Sequence, residues 1–214
     1  MSQPAANCPS CGAPVVFHWS GSVQTVCAFC KSILVRTDVD LARVGTVADL
    51  PPDCSPIQIG TEGVVDNKPF FVLGRILYEY EFGGWNEWHV VYNDGASGWL
   101  SDAQLEYDVS WQVLPPPPPS AFPHNPEREQ QFSWGGRVYQ VTSVTRAHYK
   151  GVEGELPFQY WDKADVVFAD LRTCDEQFGT IDYTENPPLL FLGRAVGFDE
   201  LHLKNVREFE GWRR

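Results

Sequence analysis

At 214 residues, with 43% hydrophobic and 21% charged residues, the chain has the usage of a folded globular protein and room for one sizeable domain or two small ones. No run approaches the roughly 18 consecutive apolar residues of a membrane span, which excludes a membrane-spanning helix. The opening MSQPAANCPSCG has neither a basic nor an apolar signal region, so a secreted protein is not expected.

The formal net charge is −12, unevenly spread. Residues 1–36 hold no Asp or Glu and two bases, Lys31 and Arg36. Residues 38–126 hold thirteen acids against three bases, and residues 127–214 fifteen against eleven. A field of that sign disfavours nucleic acid, whose binding depends on Lys and Arg displacing counterions. It suits a solvated acidic surface, or attraction for a cationic protein face, a polyamine or a metal ion.

In chain order, the first motif is the sharpest. Cys8-Pro-Ser-Cys11 and Cys27-Ala-Phe-Cys30 are two CxxC pairs fifteen residues apart. Two residues between thiolates let one tight turn aim both sulfurs at a single ion, so the spacing predicts a zinc site. Strand-like residues 15–19 and 23–26 flank Ser20-Gly21-Ser22, a hairpin signal, and Ile33-Leu34-Val35 can add a third strand. The outline is a zinc ribbon over residues 1–36. So short a unit buries too little apolar surface to fold unaided, so a structural Zn²⁺ is expected to replace the missing core. Four Cys close the tetrahedron and leave no open catalytic position. The remaining cysteines, Cys54 and Cys174, lie in loop-like segments and read as free thiols, with a disulfide between them as the alternative. A zinc–thiolate protein belongs in a reducing compartment, which favours the free thiols.

Residues 37–54 read as a helical connector. Asp38 is a cap, Leu41, Val44, Val47 and Leu50 recur at threes, and Pro51-Pro52 is the stop. A β-rich domain is expected from residue 55, and from residue 57 the period changes to two. Residues 70–82, 88–92 and 98–100 are strands, with hairpin turns at Gly83-Gly84 and Asn93-Asp94-Gly95. Residues 115–126 carry seven of the seventeen Pro and read as a stiff connector, or as a docking peptide for an SH3- or WW-like partner. Strands resume at 137–144, 166–168, 179–183 and 189–192, and Phe198-Asp199-Glu200-Leu201 opens a terminal helix or strand. Leu192-Gly193-Arg194 echoes Leu73-Gly74-Arg75, compatible with two similar halves, 55–114 and 127–214. The fold class is thus mainly β, a small N-terminal zinc ribbon followed by a β-rich barrel or sandwich with few short helices.

A resemblance adds to this. Residues 55–63 (SPIQIGTEG), 73–80 (LGRILYEY), 85–88 (WNEW), 94–95 (DG), 98–101 (GWLS), 154–158 (GELPF) and 187–191 (PPLLF) resemble the bacterial family called domain of unknown function 4178. The resemblance spans most of residues 55–203. It implies a β-rich cytoplasmic protein of a family often encoded near envelope-stress and polyamine-related genes, and it transfers no catalytic residue.

No phosphate loop, dinucleotide fingerprint, GxSxG elbow or HExxH pair is present. Glu155, Asp170 and Asp182 are candidates for a second cation site or a carboxylate dyad, against the plainer reading of solvated loop ends. Trp85, Glu87 and Trp88 form a candidate interaction surface. Residues three apart on a strand face opposite ways, leaving one Trp exposed as an anchor unless the Gly83-Gly84 turn folds both inward. The leading functional expectation is a non-enzymatic zinc-binding adaptor with a protein partner. Nucleic-acid binding through the ribbon and a carboxylate-based cation or polyamine binder, or enzyme, are the alternatives.

Overall fold

The computed structural model describes residues 5–37, 40–47, 50, 55–159, 165–175 and 177–208. Asp38, the Pro51-Pro52 stop and Cys54 lie outside them. The described chain is almost entirely β, with two 3-10 turns at Pro119–Ala121 and Asp199–Leu201.

The first strands are β1 (Ala5–Asn7), β2 (Pro14–Val16), β3 (Gln24–Val26), β4 (Ser32–Arg36) and β5 (Leu41–Thr46). Two sequence expectations are corrected here. The Ser20-Gly21-Ser22 turn does not pair β2 with β3. Instead β1 pairs with β2 and β3 with β4, each cysteine knuckle turning its own hairpin. Residues 41–46 are a strand on the open edge of β4, not a helix. A spacing of three suits either structure, but Val44-Gly45-Thr46 are poor helix formers, and the edge amides of β4 need partners. A turn in which the Thr37 amide donates to the Asp40 carbonyl (2.8 Å) returns the chain for that pairing.

The body contains β6 (Glu62–Val65), β7 (Lys68–Tyr80), β8 (Gly83–Tyr92), β9 (Ser97–Ala103), β10 (Glu106–Gln112), β11 (Gln131–Trp134), β12 (Arg137–Leu156), β13 (Asp165–Arg172), β14 (Gln177–Asp182) and β15 (Leu189–Val196). Two antiparallel meanders, β7-β8-β9-β10 and β12-β13-β14-β15, join edge to edge through β10–β15 and β7–β12 and so form a ring of eight strands. Closure is partial, because β12 pairs with β13 up to His148 and with β7 from His148 onward.

The two meanders are one unit repeated. In the hairpin β6–β7, Glu62 faces Phe71 and Val65 faces Lys68; in β11–β12, Gln131 faces Gln140 and Trp134 faces Arg137, each 69 positions later (131 against 62). The turns repeat, with positive φ at Asp66 and Asn67 and again at Gly135 and Gly136. So do the β-bulges, at Leu73 and at Thr142. From β8 and β13 onward the offset is 81: Trp88–Leu100 and Leu100–Val109 become Ala169–Ile181 and Ile181–Leu190 (181 against 100). The second unit therefore holds twelve additional residues between its first two long strands, and they include the end of β12. The Leu-Gly-Arg echo is not the trace of this repeat, since Gly74 lies on β7 and Gly193 on β15.

Each unit has its own core on the outer face of the ring. The first gathers Phe70, Val72, Trp88, Val90, Leu100 and Val109 under Ile57 and Leu201. The second places Tyr139, Val141, Ala169, Leu171, Ile181 and Leu190 at the equivalent positions under Phe122 and Phe132. The proline run leads into this cover: Pro117 is buried, Phe122 stacks on Phe132 at 6.0 Å, and Tyr183 donates to the Pro123 carbonyl (2.9 Å). It is a packed connector.

Candidate metal centre

The four cysteines meet. Their sulfurs all lie within 4.8 Å of one another, with Cys8 Sγ 3.7 Å from Cys30 Sγ and Cys11 Sγ 3.8 Å from Cys27 Sγ. A tetrahedron of thiolates about 2.3 Å from a central ion has edges of about 3.8 Å, so the donors stand where a tetrahedral ion needs them. Such a donor set takes zinc or iron.

Both knuckles are built alike. The amide after the second cysteine donates back to the first cysteine's carbonyl, Gly12 to Cys8 (2.8 Å) and Lys31 to Cys27 (3.0 Å). Each first cysteine's amide donates across the hairpin mouth, Cys8 to Ala13 (2.8 Å) and Cys27 to Ser32 (2.9 Å). The closing residue has positive φ in both, 75° at Gly12 and 57° at Lys31. Ser32, whose hydroxyl and amide hydrogen-bond the Cys30 sulfur, pulls that thiol below its ordinary range, while desolvation and the neighbouring sulfurs push Cys11 up, so the four share their protons as one group.

The polar contacts that fasten the ribbon to the ring converge on one residue, beside a hydrogen bond from Trp19 Nε1 to the Gly95 carbonyl (3.1 Å) and the packing of Ile33 and Val26 against Ile76 and Leu156. Glu155, 4% exposed at the end of β12, accepts hydrogen bonds from the His18 amide (2.8 Å), His18 Nδ1 (2.6 Å), the Trp19 amide (3.3 Å) and Ser22 Oγ (2.5 Å). Beside it β3 adds to β12, Thr25 opposite Glu155. His89, buried on β8, meets the Glu155 carbonyl through Nδ1 (2.9 Å) and the Trp19 ring at 5.3 Å; burial lowers its pKa to about 4 and keeps it neutral. Sequence reasoning missed this joint because its two sides are more than 130 residues apart. Glu155 is thus a latch, and it does not join Asp170 and Asp182.

Those two lie on the inner face of the ring. Asp170 accepts from Ser143 Oγ (2.5 Å) and Thr180 Oγ1 (3.1 Å), and Asp182 accepts from the Thr184 amide (2.8 Å). Burial raises both above the usual carboxylate range. Arg172 reaches across the interior to Asp108 on β10 (3.1 Å). The proposed Trp85–Glu87–Trp88 surface is likewise divided. Trp88 is fully buried in the first outer core, so it has no face to offer. Trp85 turns inward, stacked on Tyr78 at 5.0 Å and edge-on to Phe168 at 5.7 Å. Strand alternation sends them to opposite faces, and both faces are covered.

Glu87 also points inward, accepting from Trp85 Nε1 (2.9 Å) and Ser101 Oγ (2.8 Å). It keeps slight solvent contact, yet the surrounding protein raises its pKa to about 7, desolvation outweighing those two hydrogen bonds. The folded state therefore holds a proton that the unfolded chain releases near pH 4.5, so stability falls as pH rises from about 4.5 to about 7. Glu87→Gln is expected to flatten that slope and to stabilise the protein at pH 8 by up to about 3 kcal/mol. Urea melts of both proteins at pH 5 and pH 8 check this; parallel pH dependence would contradict it.

The model of the family described as domain of unknown function (DUF4178) matches residues 58–198. The chain belongs to that family. The match covers both repeated units, from just before the first hairpin to just after β15, and leaves the cysteine ribbon outside. Comparison with curated proteins and with solved structures finds no match.

Proposed function

We propose that the chain is a non-enzymatic, zinc-stabilised binding protein of the reducing cytoplasm, in which a structural Zn²⁺ shapes the ribbon and a protein partner docks on it. Cys8, Cys11, Cys27 and Cys30 would hold the ion as four thiolates, completing its tetrahedron with no place for water or substrate. The observation that carries the partner reading is Phe29. It sits between two ligands on the second knuckle and is 71% exposed. A large apolar side chain held rigidly in water by a metal turn suits an interface anchor.

Cross-linking in the source cells, followed by affinity capture, tests this. The same partner is expected with the wild-type chain and lost with Phe29→Ala, whose zinc content is unchanged. Capture of an identical set of proteins by both would refute the reading.

A further inference from the structure

The repetition within this chain supplies internal controls, and two departures from it meet at one place. Between the ribbon, Val47 and Leu50 beyond β5, and the ring lies a cleft of about 850 Å³, lined in part also by Val16, Ile59, Phe71 and Leu73. Ile59 and Phe71 remain 40% and 38% exposed. Their counterparts in the second unit, by the 69-residue offset, are Arg128 and Gln140, and that of Leu73 is Thr142; all three are exposed polar residues. The fold at these positions therefore does not require hydrocarbon. The knuckles differ in the same way. Where the first closes on Gly12, the second closes on Lys31, an L-residue in a left-handed conformation that glycine adopts freely, and Lys31 lines the cleft.

Charge selects the occupant. Glu155 and His18, which line the cleft, are bound to each other, and Glu153 pairs with Arg75 (2.9 Å). Lys31 has no ion-pair partner among the described residues. The backbones of β3, β7 and β12 at the cleft are engaged in sheet ladders, and the unpaired edge of the lining strand β2 is only three residues long and opens on Pro14, so an extended peptide would find few groups to satisfy its amides. A hydrocarbon chain makes no such demand, and the cleft has the size of small-molecule sites. We propose that this cleft binds an anionic amphiphile, a long-chain carboxylate whose tail lies against Ile59, Phe71 and Leu73 and whose head meets Lys31. The inference goes beyond the partner reading and can fail independently, since Phe29 is not part of the cleft.

The metal-loaded full chain, titrated with a fluorescent fatty acid and competed with tetradecanoate or tetradecanol, tests it. Saturable binding is expected, with the carboxylate favoured over the alcohol roughly tenfold, as one charge-assisted contact gives. Lys31→Gly should erase that preference with metal content intact. Ile59→Arg with Phe71→Gln, the residues of the second unit, should abolish binding of both ligands, while Arg128→Ile changes neither. If the double variant fails to fold, Phe71→Gln alone serves. No saturable uptake by the wild type, uptake untouched by the Phe71 change, or a carboxylate preference surviving Lys31→Gly would each overturn the proposal. A cleft that takes only a polypeptide would do the same.

Discussion

Stripping the metal is expected to unfold residues 5–37 while the eight-strand ring stays folded. Around the knuckles the buried side chains Cys8, Val15, Phe17, Cys27 and Leu34 gather with Leu41 into a core of six residues, two of them ligands, while Ile33 packs with the ring instead. That is far too little to hold the segment, and structural zinc contributes roughly 10–16 kcal/mol in isolated fingers at neutral pH. The ring has its own two outer cores and no cysteine in either. Hydrogen exchange with and without a strong chelator separates the two: amides of β1–β4 should lose protection and those of β8, β9 and β14 should keep it. Cys8→Ser should reproduce the apo pattern. A ribbon that remains protected without metal would contradict this.

Glu155→Ala is expected to release the ribbon from the ring with the metal still bound. The carboxylate gathers four donors from residues 18, 19 and 22, and its removal leaves the two amides and the Ser22 hydroxyl desolvated without a partner. Losses of this kind run to about 3–5 kcal/mol for a buried charged acceptor. Protection should fall for residues 18–26 and for the β12 end while zinc stoichiometry is unchanged, which distinguishes the latch from the ion. Undiminished protection of Thr25 and Val26 in the variant would show that strand pairing alone holds the joint.

The metal ligands were legible because CxxC spacing is a local geometric constraint, and the strands because alternation along Tyr78, Tyr80 and Phe82 is local too. The ring was not. Equivalent positions of the two units keep backbone register and the face each side chain takes while changing identity and size: Trp88 answers to Ala169 and His89 to Asp170. The conserved features are those the backbone demands. Gly98 and Gly179 both lie where a Cβ would strike the neighbouring strand, at 2.9 Å from Trp111 and 2.7 Å from Leu192. Two such glycines do not announce a duplication in a chain with eighteen. The acidic trio failed for a related reason. Nothing local says that Glu155 meets the ribbon or that Asp170 turns into the ring, because both follow from pairings between distant strands. Residues 41–46 misled because an apolar spacing of three does not choose between helix and strand when a free edge is waiting.

The account depends most on the identity and coordination of the ion. X-ray absorption at the zinc edge of the protein as purified, with elemental analysis of the same sample, measures both. One zinc per chain with four sulfurs at about 2.3 Å is the predicted result. A sphere containing oxygen or nitrogen, another metal at full occupancy, or no metal in a folded ribbon would contradict it.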